Sequence, residues 1–387
     1  MKSILSDKTI SILGSTGSVG TQALDVARQN DIKIFALTAN SSVGIAERQI
    51  REFAPEFFVL KDEKAAAELR TSVADTDCKV LSGEESILEV CSDKRNDTVV
   101  NSITGIAGLM PSLAVIESGT DLALANKETI VTAGKLVMSK AKSSGSKILP
   151  VDSEHSAIFQ CIGSNYHSDI KRILLTASGG PFFGYKKEEL KSITPELALA
   201  HPTWKMGPKI TIDSASLMNK GFEVIEAVHL FDVNASNIQV VVHKESIIHS
   251  MVEFKDKATM ALMSFPDMRL CVQYALSYPN HIDLNIPDMD LFKIGTLNFK
   301  EPDMETFKLL KVAYKVANIK DTTLGATLNG ANEVAVSLFL NKKISFLDIF
   351  DLVESAVKNA KQYELSIENI KKADIEAREY VNKTAGI

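Results

Sequence analysis

The chain has 387 residues, more than one hydrophobic core ordinarily holds, so two or three domains are expected. Its 45% hydrophobic and 24% charged residues are those of a globular protein, and a net charge of −6 excludes a general basic field for nucleic acid or an anionic membrane. Any recognition of phosphate must be local. No apolar run approaches the roughly 18 residues of a membrane span. The N-terminal run, Ile10 to Leu13, is cut by Gly14, so no signal peptide is read and a cytoplasmic protein is expected. Cys78, Cys91, Cys161 and Cys271 have neither CxxC nor zinc-site spacing and read as reduced thiols.

Thr9 to Leu13 reads as a strand, Gly14-Ser15-Thr16-Gly17-Ser18-Val19-Gly20 as a turn, and Thr21 to Gln29 as a helix. Strand, glycine-rich turn and helix is the context of a dinucleotide site: the glycines admit a pyrophosphate and the helix N-terminus stabilises its charge. The spacing is GxxGxxG, and Thr21 stands where a Walker A lysine would be required. A turn with no ligand is the competing reading. The next strand, Ile32 to Thr38, ends in Ala39-Asn40-Ser41-Ser42 with no acid to hold a ribose 2′-hydroxyl, which favours NADP over NAD. Arg48 and Arg51 are the nearest cations along the chain.

Strands follow at Phe57 to Leu60, Thr98 to Ser102 and Asp121 to Ala125, with helical runs such as Glu63 to Ser72 between them. That alternation predicts a parallel sheet with ligands at the strands' carboxyl ends. Asn126-Lys127-Glu128 sits at one such end. An N-cap with a helix-start acid explains Asn126 and Glu128, but a cation at Lys127 is unfavourable there unless an anion is near.

Lys147 to Val151 reads as a buried strand leading into Asp152-Ser153-Glu154-His155. Strand side chains alternate, so Asp152 and Glu154 are expected on one face. Two like charges repel unless a cation holds them, and oxygen-only ligands suit Mg²⁺ or Mn²⁺. A solvated turn is the bland alternative.

Ile170 to Leu175 reads as a strand, followed by the glycine-rich loop Thr176 to Gly184 and a broken polar stretch to Pro208. That stretch carries His201, Trp204, Met206 and Gly207, and its tryptophan is the only one in the chain. An aromatic on such a loop reads either as a lid over a substrate or as an anchor docked on the core. Lys209 to Asp213 reads as a strand, then a helix from about Asn219 to Leu230 places Asn219 and Glu223 on one face. Glu223 is thus a candidate third carboxylate for Asp152 and Glu154. Ser178, Ser214, Asn219 and Lys220 offer the donors and the point charge a phosphate monoester needs. Strands at Ile238 to His243, Ser250 to Phe254 and Thr259 to Ser264 complete a second mixed α/β domain, with His243 and His249 read as hydrogen-bonded core residues. Ile294 to Asp303 reads as a linker. Helical periodicity covers Met304 to Ala317, Leu324 to Leu340, Ser345 to Ala360 and Ile370 to Val381, a bundle read as packing rather than chemistry.

These segments together resemble the 1-deoxy-D-xylulose 5-phosphate reductoisomerases over essentially the whole chain. The resemblance rests on GSTGSVG (Gly14 to Gly20), LANKE (Leu124 to Glu128), PVDSEH (Pro150 to His155), SGGPF (Ser178 to Phe182), HPTWKMG (His201 to Gly207) and DSASLMNKGFE (Asp213 to Glu223). It implies an α/β chain with a Rossmann-like NADPH domain at 1–150, a catalytic metal and substrate domain at 151–290 with a lid at 178–208, a linker at 291–310 and a C-terminal helical domain at 311–387. It implies one Mg²⁺ or Mn²⁺ on Asp152, Glu154 and Glu223. Substrate contacts fall on Lys127, Ser153, Glu154, Ser178, His201, Trp204, Met206, Ser214, Asn219, Lys220 and Glu223. Cofactor contacts fall on Thr16, Gly17, Ser18, Val19, Asn40, Ser41, Ser42, Asn126, Glu128 and Gly207. Lys127 and His201 join the three carboxylates as catalytic. The implied activity is rearrangement and NADPH-dependent reduction of the ketose phosphate in non-mevalonate isoprenoid synthesis, by a homodimer. The rival enzyme is an NADP-dependent dehydrogenase of another phosphorylated substrate, without rearrangement; the rival from another class is a dinucleotide-binding regulator.

Overall fold

The computed structural model describes residues 3–165, 167–204, 206–319 and 321–387. It divides into two compact units, residues 1–129, 137–156 and 267–287 in the first and 130–136, 157–266 and 288–387 in the second.

The first unit is built on a seven-stranded sheet in the order β4-β3-β2-β1-β5-β6-β7, every neighbouring pair parallel. The strands are β1 Thr9–Leu13, β2 Lys33–Ala39, β3 Phe57–Leu60, β4 Lys79–Ser82, β5 Thr98–Asn101, β6 Asp121–Leu124 and β7 Ile148–Pro150. Helices cover both faces of a parallel sheet, so its strands are runs such as Ile10, Ile12, Leu13 and Leu37, all inaccessible to solvent. The strand order reverses at β1, and the carboxyl ends of β1 and β5 diverge there into the crevice that such sheets use for ligands. β4 is absent from the sequence reading because it is a short edge strand with a single buried residue, Val80, and therefore no hydrophobic pattern.

Residues 267–287 return to this unit rather than staying with the strands that precede them, which differs from the division expected at 290. Helix Met268–Ser277 lies on helix Ser18–Gln29. Arg269 reaches Asp25 at 2.9 Å, and the buried amide of Asn30 donates to Gln273 at 3.1 Å. Partners 243 or 244 residues apart leave no periodicity to read.

The second unit holds a four-stranded mixed sheet in the order β11-β10-β8-β9. β8 Ile170–Ala177 and β9 Ile238–Val242 are parallel; β10 Ile248–Phe254 is antiparallel to β8 and to β11 Thr259–Met263. The C-terminal helices Leu309–Asn318, Leu324–Leu340, Phe346–Asn359 and Ile367–Thr384 share its core: Leu175, Ile212, Phe222, Leu310, Leu328 and Phe350 belong to one buried cluster. Ser345 caps helix Phe346–Asn359 in a capping box: its hydroxyl accepts from the Asp348 amide while Asp348 accepts from the Ser345 amide.

Helix Lys127–Ser144 kinks at Ala133, and its segment 130–136 packs in the second unit. Gly325 lies so close to it that an added Cβ would stand 1.9 Å from the Val131 carbonyl oxygen. Helix propensity alone makes Gly→Ala stabilising by roughly 0.5–1 kcal/mol. Here the sign reverses: Gly325→Ala should lower the melting temperature by several degrees, and a calorimetric scan showing a gain would mean that the helices separate at little cost.

Candidate functional site

In the first unit the glycine turn is pinned to the carboxyl end of β2. The Gly14 and Ser15 amides donate to the Thr38 carbonyl at 3.0 and 2.9 Å. Buried Gln49 braces it from behind, accepting from the Ser15 hydroxyl at 2.7 Å and donating to the Ser15 carbonyl at 2.9 Å. Gly14 has φ +79°, and a Cβ on Gly20 would meet the Gly14 carbonyl oxygen at 2.2 Å, so the turn closes on its helix only with glycine at both positions. Helix Ser18–Gln29 starts at Gly17 with no side-chain cap. Thr16 and Val19 are half-buried, and Gly17 and Ser18 are exposed at its mouth. Uncapped amides and a bare backbone fit a pyrophosphate. Asn40, Ser41 and Ser42 follow β2, all exposed.

At the end of β6, Asn126 caps the next helix by accepting from the Thr129 amide, and its own amide donates to the carbonyls of Ile103 and Gly105 at 2.5 and 2.9 Å. Asn126 therefore ties two strand ends together, and Glu128 lies 3.3 Å from the same amide. Lys127 is 6% exposed, and its ammonium stands 2.5 Å from Asp152: the anion that its position required. Burial by itself would push the Asp152 carboxyl up, but the Lys127 charge and the His155 imidazole beside it, 3.4 Å away, outweigh it and hold the group well below the usual carboxylate range.

Asp152 and Glu154 do not lie on one strand face, contrary to the alternation expected of them. β7 stops at Pro150 and helix Ser153–Ile162 begins almost at once, so Glu154 is in a first helical turn and Asp152 just precedes it. Asp152 accepts from the Glu154 amide at 3.3 Å, and the Ser153 hydroxyl donates to the Glu154 carboxylate. The helix N-terminus, not a strand face, is what favours two acids here.

In the second unit His201 is the hub. Its Nδ1 accepts backbone amides from Thr203 at 3.2 Å and Trp204 at 3.0 Å, so the ring proton sits on Nε2. Nε2 lies 3.2 Å from both the Ser178 and Ser214 hydroxyls, and the Gly180 amide donates to Ser178 at 3.3 Å. A Cβ on Gly180, at φ +66°, would stand 2.7 Å from the Ser214 carbonyl oxygen. The glycine loop can lie against Ser214 for that reason. Burial pushes the His201 imidazole down, in agreement with its two backbone donors.

Pro208 to Ala215 is a helix, which corrects the strand read at Lys209 to Asp213. Its β-branched residues suggest a strand, but Pro208 at the first turn and the Lys209–Asp213 pair at 2.9 Å, four residues apart, favour the helix. Leu217, at φ +59°, turns the chain sharply into helix Met218–Leu230. There the predicted spacing holds: Asn219 donates to Glu223 at 2.6 Å, and Lys220 pairs with its other oxygen. Lys220 and Glu223 are 4% and 1% exposed, a buried ion pair. Trp204 is half-buried, edge-on to His249 with ring centroids 6.3 Å apart. Met206 is half-buried and Gly207 exposed. His243 and His249 are buried and bonded to the Asn298 and Ser264 carbonyls, core histidines as expected. Sequence reasoning passed over Asp213, whose buried carboxylate accepts from Asn332 at 2.7 Å. That bond joins the Ser214 helix to helix Leu324–Leu340 across 119 residues.

A family model described as 1-deoxy-D-xylulose 5-phosphate reductoisomerase matches residues 10–134. Its C-terminal domain model matches 148–231, and a DXP reductoisomerase C-terminal domain model matches 263–380. A 1-deoxy-D-xylulose 5-phosphate reductoisomerase of Clostridium botulinum is 52% identical over 381 residues, covering 97% of this chain and 99% of its own. The chain belongs to the 1-deoxy-D-xylulose 5-phosphate reductoisomerase family. The Clostridium perfringens member is 50% identical over 380 residues, 97% of this chain and 98% of its own. The Zymomonas mobilis reductoisomerase, solved with NADPH, superposes with a TM-score of 0.91 at 36% identity, covering 98% of this chain and 99% of that one. A DOX-P reductoisomerase solved with NADPH, fosmidomycin and magnesium gives 0.93 at 38% identity, covering 98% of each. The Rossmann-like sheet and the helical C-terminal region are thus those of the reductoisomerases.

Protonating His201 would turn Nδ1 into a donor facing two amides. Its folded pKa is depressed, so the turn is intact above the ordinary histidine value of about 6.5 and is lost as pH falls through the lower folded value. The sole tryptophan, Trp204, should change its emission in that acid range, before global unfolding. In His201→Asn the change should vanish; a wild-type signal flat down to acid unfolding would show that the imidazole does not hold the turn.

Proposed function

We propose that this reductoisomerase-family chain converts 1-deoxy-D-xylulose 5-phosphate to 2-C-methyl-D-erythritol 4-phosphate with NADPH and one Mg²⁺ or Mn²⁺. The observation that carries the reading is full-length family membership combined with two polar clusters built from the motif residues, one around Asp152 and one around His201 and Glu223.

In this reading residues 1–150 bind NADPH, residues 151–290 with the lid at 178–208 hold the reacting groups, 291–310 link them to the helices of 311–387, and those helices support Ser214. Thr16, Gly17, Ser18 and Val19 receive the pyrophosphate; Asn40, Ser41 and Ser42 face the adenosine ribose; Asn126, Glu128 and Gly207 border the cofactor. Asp152, Glu154 and Glu223 hold the cation. When bound, the cation polarises the ketone and hydroxyl oxygens as a Lewis acid and NADPH supplies the hydride. The donor set fits: all-oxygen ligands, with Asp152 kept ionised by Lys127. Lys127, so placed, can also hold or return a proton at a substrate oxygen, and Ser153 can donate to one.

Ser178, Ser214, Asn219 and Lys220 anchor the phosphate, and His201 offers its Nε2 proton to the same group. Neutral donors with one point charge suit a monoester. Trp204 and Met206 cover the substrate, so binding at the remote phosphate can help to close the lid and exclude water. The chain works in the cytoplasm as a homodimer in this reading. β11 supports the dimer: it is an edge strand whose Met260 and Met263 are 47% and 36% exposed, a surface a second copy can cover.

The deciding assay follows NADPH consumption with the ketose phosphate, with and without chelator, and identifies the product. A branched polyol phosphate is expected; a straight-chain reduced sugar would establish the plain dehydrogenase instead, and no turnover at all would favour the regulator. Glu223→Gln should cost about a hundredfold or more in metal-dependent turnover with circular dichroism unchanged. Near-normal rates at ordinary Mg²⁺ would remove Glu223 from the site. Trp204→Ala should raise the substrate KM with little change in melting temperature, whereas a large thermal loss would make this tryptophan a core anchor.

A further inference from the structure

The turn that receives the adenosine ribose has no cation of its own: Asn40, Ser41 and Ser42 are neutral and exposed. A 2′-phosphate carries close to two negative charges, and neutral donors alone discriminate weakly between it and a hydroxyl. Arg48 and Arg51 are the nearest cations along the chain. Arg51 is already occupied: its guanidinium donates to Asp75 at 2.8 and 3.1 Å, to Glu47 at 3.0 Å and to the Ser72 carbonyl at 2.9 Å. Arg48 lies on helix Val43–Phe53, five residues past its first, about 7.5 Å along the axis from the turn.

Lys61 is different, and only the sheet reveals it. β3 runs parallel to β2 with Leu60 opposite Ala39, so the residues just past each strand emerge side by side. The Lys61 amide donates to the Ala39 carbonyl at 2.9 Å, and the Asp62 amide to the Asn40 carbonyl at 3.0 Å. The Lys61 backbone is therefore bonded to the very segment that opens the ribose turn, although 21 or 22 positions separate them in sequence. Neighbouring strands lie about 4.8 Å apart, a gap that a four-carbon stem spans easily. Its ammonium pairs at 2.7 Å with Glu84, which stands just past β4, the next strand out. Both side chains are well exposed, 49% and 74%, so the pair is weak and screened, and a dianion competes for the lysine.

We propose that Lys61 is the residue that selects NADPH over NADH, by leaving Glu84 for the 2′-phosphate held at Asn40-Ser41-Ser42. The inference rests on the dinucleotide reading of the glycine turn and deepens it. Glu84 sets the strength of the preference, because each cofactor carrying the extra phosphate must displace it. The preference is accordingly salt-dependent.

The test is equilibrium binding of NADPH and of NADH to the full-length protein, followed by nicotinamide fluorescence without substrate. Lys61→Ala should weaken NADPH about tenfold, the scale of one charge-assisted phosphate contact, and leave NADH within twofold. Glu84→Gln should tighten NADPH two- to threefold with NADH unchanged, and added salt should narrow the wild-type difference. A Lys61→Ala protein that loses both cofactors equally, or neither, overturns the proposal; so does collapse of the NADPH preference in Arg48→Ala but not in Lys61→Ala. An unchanged NADPH affinity in Glu84→Gln overturns the competition. Wild-type protein that binds neither cofactor overturns the dinucleotide reading itself, and Lys61 with it.

Discussion

A carboxylate taken out of water must be given a positive partner, and this constraint organises a polar cluster in each unit. Asp152 and Glu223 are both largely withdrawn from solvent, and each has a lysine ammonium against it: Lys127 in the first unit and Lys220 in the second. The partners are supplied by local geometry. Lys127 opens a helix at a strand end, and Lys220 stands three residues before Glu223 on the same helix face. Acids held charged in this way cost the fold something and suit a site that needs anionic oxygen for a hard cation.

The second organising device is the conversion of loops into supports. A glycine turn at the end of β1 is fixed by Thr38 and Gln49, so its uncapped amides are presented rigidly. In the second unit a single imidazole performs a comparable task. His201 holds the Thr203 and Trp204 backbone with one nitrogen and meets two serine hydroxyls with the other, so the tryptophan segment and the two serines are coupled through one ring. The C-terminal helices add no reacting group, but Asn332 grips Asp213, the neighbour of Ser214, so even the packing domain reaches the site.

Much of this was legible along the chain. The helix carrying Asn219 and Glu223 and the helix Leu324–Leu340 follow from three- and four-residue spacing. Lys127 announced itself by standing where a cation is unfavourable. The failures have physical reasons too. Lys209 to Asp213 looked like a strand because Ile and Thr alternate there, yet a proline at the first turn and an ion pair four residues apart made it a helix. Asp152 and Glu154 do not share a strand face, since β7 ends at Pro150 and a helix begins at Ser153, before the alternation can reach them.

The sequence by itself determined the residue types and the local geometry: the glycine turn, the acids, the donors, the helix faces and the family. These are short-range properties, governed by backbone freedom, side-chain period and capping within a few residues. Only the tertiary structure decided which distant groups became partners: Asp213 with Asn332, Asn30 with Gln273, Lys61 with the turn after β2. Such pairs are fixed by how sheets and helices pack, a many-body result of burying apolar surface, and no periodicity along the chain encodes them.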